Sequence, residues 1–332
     1  MSRRDNLPWV EKYRPKKIDD VSHQNGVTDS LRQTIATGDL PHLLFYGPPG
    51  VGKTTTIRAL CHELFGPKLF KSKVKELNAS DDRGIDVVRT RIKNFARVVA
   101  NQKDPKYPSP PFKVIILDEA DSMTRDAQAA LRRTMETYAR TTRFCIICNY
   151  VSRIIDPIAS RCVKCRFQPI PDSAMMDTLT HIVQQEKVQI GQEGLQAIIS
   201  ESQSDMRRAV TLLQTVHTVY GSGITPTCIS EACGAVPQAV AQGLVSRLRS
   251  GQGSVTTLCT QLAEDVRRQA WPVCDLLTQM SKAITDRPDV SDQAKAHIAL
   301  RLCASDRCLL DGASEHLALL DAFHFMSSKM RQ

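Results

Sequence analysis

Gly47-Pro-Pro-Gly-Val-Gly-Lys53-Thr54 is a stretch whose residue types and spacing imply chemistry. Glycines spaced this way let backbone N–H groups curl around the β- and γ-phosphates of a nucleotide, and a following helix adds the positive end of its dipole. Lys53 should reach the β/γ oxygens, and the Thr54 hydroxyl is suited to ligate Mg2+. A chance glycine-rich turn is the competing reading. Context weighs against it, because the loop joins a buried apolar run, His42-Leu-Leu-Phe-Tyr46, to a helical pattern. The second stretch is Val114-Ile-Ile-Leu-Asp118-Glu119-Ala-Asp121. Its four apolar residues predict a central strand buried on both faces, whose C-terminal end delivers Asp118 beside the phosphates. Asp118 suits a water-mediated hold on Mg2+, and Glu119 is placed to orient or deprotonate the attacking water. Asp121 reads equally well as a helix cap. A phosphate loop paired with Asp-Glu means nucleotide hydrolysis.

These groups need elements to hold them. Residues 41–167 alternate short apolar runs with helical patterns, the signature of a parallel α/β sheet. The pattern predicts strands at 42–46, 74–77, 114–117 and 144–148. It predicts helices from 53 to about Leu64, stopping at Gly66-Pro67, from about Gly84 to Ala100, and over 125–138. The proline-rich run Asp104–Pro111 excludes helix and central strand. After Phe167-Gln-Pro169 the strands are expected to stop. Residues 172–187, 192–202 and 205–220 read as three helices, the last with Met206, Val210, Leu213 and Val216 on one face. Residues 237–332 predict four or five further helices, broken at Gly251–Gly253, at Pro272 and around Arg287-Pro288. The domain plan is an α/β domain over 1–168, a small helical domain over 169–230 and a larger helical domain over 231–332.

Bulk composition agrees with that plan. A chain of 332 residues is long enough for two or three cores. No apolar run approaches the roughly 18 residues of a membrane span, and the opening Met-Ser-Arg-Arg-Asp-Asn lacks a signal-peptide core. An intracellular chain with no membrane partner is expected. The eleven cysteines are scattered and often flanked by apolar residues, so they read as small buried hydrophobes rather than disulfides. Residues 1–100 hold 18 Lys/Arg against 11 Asp/Glu, so most of the net charge of +9 lies there. Such a bias suits a polyanion such as DNA, although many proteins that bind none share it.

The phosphate loop and Asp-Glu strand resemble those of the AAA+ ATPases, and other stretches narrow the likeness to replication factor C small subunits. Pro8-Trp-Val-Glu-Lys-Tyr-Arg-Pro15, Leu77-Asn-Ala-Ser-Asp-Asp-Arg-Gly84 and Gln128-Ala-Ala-Leu-Arg-Arg-Thr-Met-Glu136 each resemble a box of that family. Ser160-Arg161-Cys162 matches the small-subunit signature, and Ser204-Asp-Met-Arg207 resembles a lid motif usually written Gly-Asp-x-Arg. These stretches cover residues 8–210; beyond 230 the resemblance is one of helical pattern. It implies a P-loop AAA+ parallel-sheet domain of α/β class, a three-helix lid and a C-terminal all-α collar that mediates oligomerisation. It implies a nuclear ATPase subunit of a heteropentamer with other replication factor C subunits, which opens a sliding clamp and closes it around primer–template DNA.

Site roles follow from the same resemblance. Val10, Tyr13, Arg14 and Pro15 would close the nucleotide site near the adenine. Gly47, Pro48, Pro49, Gly50, Val51, Gly52, Lys53, Thr54 and Thr55 would hold ATP, with Mg2+ on Thr54 and Asp118. Asn149 matches sensor 1, and Arg207 matches sensor 2. Arg161 matches the arginine finger and would act in trans on a neighbour's ATP, a contribution of something like 10³–10⁵ in rate. Two departures stand out: Val51 replaces a usual threonine, and Ser204 replaces the usual lid glycine. The proline-rich insertion resembles one branch of the small subunits.

DNA in this family is tracked by phosphates rather than bases, which calls for Lys/Arg and helix N-termini. The candidates are Arg83, Arg89, Lys93 and Arg125; each is equally readable as ordinary surface charge. Arg83 also resembles a family residue that restrains the catalytic glutamate until DNA binds. Arg89 and Lys93 share a helix face that Arg91 does not. Phe95–Lys103 and the proline-rich loop are placed by analogy to meet the clamp. Cys145-x-x-Cys148 and Cys162-x-x-Cys165 have zinc-like spacing, but residues three apart in a strand point to opposite faces. Two other functions compete: a branch-migration helicase or unfoldase, and a subunit that binds ATP chiefly as scaffold. The first should carry pore loops or a DNA hairpin; the second sits poorly with Lys53, Asp118 and Glu119 together.

Overall fold

The computed structural model describes residues 7–21, 24–80, 85–97, 103–221, 223–250 and 254–331. The chain divides into two compact units, residues 1–222 and 223–332. The first opens with helices α1 (Trp9–Lys12) and α2 (Asn25–Thr37). Strands β1 (Leu43–Tyr46), β2 (Val74–Asn78), β3 (Lys113–Asp118), β4 (Thr142–Cys148) and β5 (Val163–Arg166) then form one parallel sheet in the order β2-β3-β4-β1-β5. Parallel neighbours need long crossovers, supplied by α3 (Lys53–Lys73), α4 (Ile85–Arg97), α5 (Arg125–Thr137) and the short α6 (Asp156–Ala159). Leu44, Ile115, Leu117, Phe144 and Ile146 pack on one face with Ile92 of α4 and Ala127, Leu131 and Met135 of α5. Helix α3 lies against β2, β3 and β4 and buries Ile57, Leu60, Cys61 and Leu64. Covered on both faces, β3 and β4 are apolar along most of their length.

Two expectations change. The sequence predicts four strands, and β5 makes a fifth, pairing with β1 at the sheet edge. Only Cys165 of Val-Lys-Cys-Arg is buried, so this edge strand has no apolar run to announce it. Helix α3 breaks at Gly66 as expected, with φ +68, but about two further turns run on to Lys73. A Cβ at Gly66 would fall 2.4 Å from the Tyr107 ring, so the proline-rich loop seats on that break. Ser109 N–H donates to the Leu64 carbonyl (2.9 Å), which satisfies a group left by the interruption, and Lys73 Nζ donates to the Pro110 carbonyl (2.9 Å).

Helices α7 (Asp172–Glu186), α8 (Gln192–Ser202) and α9 (Met206–Tyr220) pack on one another and complete the first unit. The second unit holds α10 (Pro226–Cys233), α11 (Gln238–Ser250), α12 (Val255–Arg268), α13 (Val273–Thr285), α14 (Asp292–Leu310) and α15 (Glu315–Met330). Leu244, Leu248, Leu262, Leu276, Met280 and Phe323 centre its core. Helix α10 runs through the 230/231 division expected from sequence. Cys61, Cys145, Cys148, Cys165 and Cys259 are buried as expected, whereas Cys274, Cys303 and Cys308 are exposed on α13 and α14. Among the described residues no helix is long and apolar enough to cross a membrane.

Candidate active site

Because β4 lies between β1 and β3, the C-terminal ends of three adjacent strands open on one crevice. Strand β1 leads into loop 47–52 and α3, β3 ends on Asp118, and Asn149 follows β4. Lys53, the first residue of α3, is buried. Its Nζ donates to the carbonyls of Gly47 (2.8 Å) and Pro48 (2.7 Å) and to Asn149 Oδ1 (3.0 Å). Burial holds this lysine below its ordinary value, while Asp118 pulls the other way. An ammonium held by neutral oxygens lacks a close counter-charge, which an incoming phosphate supplies.

Thr54 Oγ1 donates to Asp118 Oδ2 at 2.7 Å. A hydroxyl beside a carboxylate is the all-oxygen donor set that suits a hard cation such as Mg2+. Asp118 Oδ1 accepts from the Glu119 N–H (3.0 Å), and Glu119 sits at φ +53. That left-handed conformation costs a non-glycine residue about 1 kcal/mol and persists where the surroundings over-determine it. Asp121 Oδ2 accepts from the N–H groups of Asn149 (3.2 Å) and Tyr150 (3.4 Å), so it ties the end of β4 to the turn after β3.

A cleft of about 920 Å³ opens over these groups. It is lined by Val10, Tyr13, Arg14 and Pro15, by Pro49, Gly50, Val51, Gly52, Lys53, Thr54 and Thr55, and by Asp118, Glu119, Asn149 and Arg207. That volume lies within the range of small-molecule sites. Gly47 and Pro48 take part through their carbonyls on Lys53. Arg14 Nε reaches Thr55 Oγ1 (3.2 Å). Asp205 caps α9, accepting from the N–H groups of Arg207 (2.8 Å) and Arg208 (3.1 Å). The same carboxylate presses on the phosphate loop: a Cβ at Gly50, φ +70, would fall 1.8 Å from Asp205 Oδ1. Gly50 therefore makes room for the lid.

Sequence reasoning missed the clasp between the N-terminal segment and the lid. Trp9 N–H donates to Gln214 Oε1 (3.0 Å), and its ring stacks on His217 at 5.5 Å. Lys12 Nζ and Tyr13 Oη both donate to Glu186 Oε1, at 2.6 and 2.5 Å. Burial alone would raise the Glu186 carboxyl, but these two hydrogen bonds outweigh it and hold it below its ordinary value. Lid residues Asp177, Thr178, His181, Ile182, Met206 and Val210 also line the cleft. The partners are far apart in sequence, and no local pattern reports them.

Other candidates lie elsewhere. Arg161, in the turn before β5, pairs through Nη2 with Glu136 Oε1 (2.7 Å) and donates from Nη1 to the Pro157 carbonyl (2.5 Å); it is not among the cleft residues. Lys93 on α4 and Arg125 at the start of α5 are exposed. Arg83 and the side chain of Arg89 fall outside the described residues. Cys148 joins the α4–α5 face of the sheet, and burial pushes its thiol and that of Cys162 up to about 12.

Sheet order, crevice and lid define an AAA+ ATPase. The model of the "ATPase family associated with various cellular activities (AAA)" matches residues 43–170, "RCF1/5-like, AAA+ ATPase lid domain" matches 177–218, and "Replication factor C C-terminal domain" matches 236–323. Replication factor C subunit 2 of Oryza sativa subsp. japonica is 49% identical over 315 residues, 95% of this chain and 92% of that protein. Replication factor C subunit 4 of Arabidopsis thaliana is 49% identical over 317 residues, with coverages of 95% and 93%. Replication factor C subunit 4 of Homo sapiens is 46% identical over 316 residues, with coverages of 95% and 86%. This chain belongs to the replication factor C small-subunit family, and its role is that of a clamp-loader ATPase subunit. Among solved structures, the RuvB Holliday junction branch migration motor of Thermotoga maritima matches with a TM-score of 0.54 at 15% identity, covering 81% of this chain and 91% of that one. That likeness is of fold alone, so the helicase alternative is not favoured.

Proposed function

We propose that this chain binds ATP with Mg2+ between its sheet and lid, and hydrolyses it within an assembled pentamer using an arginine lent by the next subunit. The observation that carries the reading is the joining of Lys53 to Asn149 and of Thr54 to Asp118 at adjacent strand ends, with Arg161 outside that cleft. Lys53 and the backbone N–H groups from Gly50 to Thr55 take the phosphates. Thr54 and Asp118 would hold Mg2+, which neutralises phosphate charge when bound. Glu119 orients and deprotonates the attacking water, and Asn149 positions that water or touches the γ-phosphate. Arg207 reports the γ-phosphate to the lid, while Val10, Tyr13, Arg14 and Pro15 close over the adenine. Arg161 serves the neighbour's site in trans.

In this reading residues 1–168, 169–230 and 231–332 act as ATPase, lid and collar. The partners are other replication factor C subunits, a sliding clamp and primer–template DNA, in the nucleus. Arg83, Arg89, Lys93 and Arg125 meet DNA phosphates. The test is ATP turnover of the assembled pentamer, with clamp and DNA, carrying Glu119→Gln. Turnover at this site should fall at least 10²-fold while ATP still binds, the usual scale for losing a general base. Unchanged turnover per site would leave the chain an ATP-binding scaffold.

A further inference from the structure

We infer that Glu136 is a positioning residue for Arg161, holding its guanidinium ready for the site next door; this rests on the reading of Arg161 as an arginine acting in trans. Glu136 occupies the last turn of α5, whose Ala127, Leu131 and Met135 are locked against the sheet. A packed helix therefore delivers its carboxylate. Arg161 emerges from a turn and is held at two points, Nη1 by the Pro157 carbonyl and Nη2 by Glu136 Oε1 at 2.7 Å. Two holds on a planar fork fix its orientation as well as its position. A long arginine released into solvent samples many rotamers, and few of them would reach a neighbouring phosphate.

The same Glu136 oxygen lies 3.6 Å from Nε of Arg132, one turn earlier on α5, and that buried Nε has no hydrogen-bond partner. Glu136 thus sits between two guanidinium groups. Without its charge, the two guanidinium groups lose the anion between them, and the hold on Arg161 Nη2 weakens to that of a neutral oxygen. Arg161 and Glu136 are 40% and 41% exposed, so the pair adds little to folding stability. Orientation is the effect left to it. The stretch from Gln128 to Glu136 carries a family box, and nothing in the ATP cleft uses its last residue.

The experiment uses pentamers in which P-loop lysine substitutions leave only the neighbouring site, the one facing Arg161, able to hydrolyse ATP. Complexes carrying Glu136→Gln, Arg161→Ala or both are compared for kcat, KM for ATP and pentamer yield. Glu136→Gln should lower kcat about tenfold with KM and yield unchanged, and Glu136→Asp, which keeps the charge, should recover part of that loss. The double variant should turn over like Arg161→Ala alone, because nothing remains to be positioned. A normal kcat in Glu136→Gln beside a crippled Arg161→Ala overturns the inference alone, as do losses that add in the double variant. A normal kcat in Arg161→Ala instead overturns the trans-acting reading beneath it.

Discussion

The nucleotide-binding unit and the C-terminal helical unit each have an apolar core of their own, yet they constrain their residues differently. In the first, individual positions are committed to individual tasks. Buried Lys53 answers three oxygens, Asp118 serves both Thr54 and the Glu119 amide, and Gly50 leaves room for Asp205. In the second, α11 to α15 need only present apolar faces to one another, as Leu244, Leu262, Leu276 and Phe323 do. Its ion pairs, such as Arg249 with Asp289 and Arg301 with Asp321, are partly exposed and contribute little. Chemistry specifies residue identity, whereas helix packing specifies a pattern that many sequences satisfy.

The sharpest way to break that contrast is Phe323→Ala. Phe323 is fully buried in the core of the second unit, so truncation should cost about 3–5 kcal/mol through lost burial and an unfilled cavity. Each unit holds one tryptophan, Trp9 and Trp271, so Trp271 fluorescence in a Trp9→Phe background reports the second unit selectively. Denaturant unfolding should shift by that amount while ATP affinity stays put. A loss under 1 kcal/mol would mean that this core repacks freely.

The same contrast explains what was legible. The phosphate loop and Asp118-Glu119 could be read because local backbone geometry and residue type carry their chemistry. Helices over 172–186, 192–202 and 206–220 followed from periodicity almost to the residue. Edge strand β5 was hidden because burial on one side leaves Val-Lys-Cys-Arg without an apolar run, and α2 because few of its residues are apolar. Asp121 was legible as a possible cap; its hold on the Asn149 and Tyr150 amides is set by tertiary structure. The Glu186 clasp was invisible for the same reason: nothing near Tyr13 marks a partner on α7.

A smaller effect tests whether position-specific commitments in the first unit extend beyond the cleft. His42 Nδ1 accepts from the Phe144 N–H at 3.1 Å, and burial, with Arg143 nearby, lowers its pKa from 6.5 to about 4. As pH falls, the unfolded chain therefore takes up this proton before the folded one does. The stability is whole above 6.5, declines between 6.5 and about 4, and loses no more below that. For a partly exposed ring the loss is on the order of 2 kcal/mol. His42→Gln should flatten the difference in unfolding free energy between pH 7 and pH 4, measured against the parent. Parallel pH profiles would show that this histidine is not a committed position.

The smallest effect lies where lid and phosphate loop meet. Gln203 and Ser204 take φ of +51 and +63 between α8 and α9, immediately before the Asp205 cap. Ser204 stands where the lid motif that this stretch resembles is usually written with glycine, and a left-handed serine carries a cost of about 1 kcal/mol that glycine avoids. Glycine also loses more freedom on folding, so Ser204→Gly should stabilise the first unit by about 0.5 kcal/mol, read from Trp9 in a Trp271→Phe background. Ser204→Ala keeps the strained backbone and removes only the hydroxyl, so it should be close to neutral. If alanine costs as much as glycine was expected to add, the serine is retained for its hydroxyl. The lid junction would then be one more position where chemistry, rather than backbone shape, selects the residue.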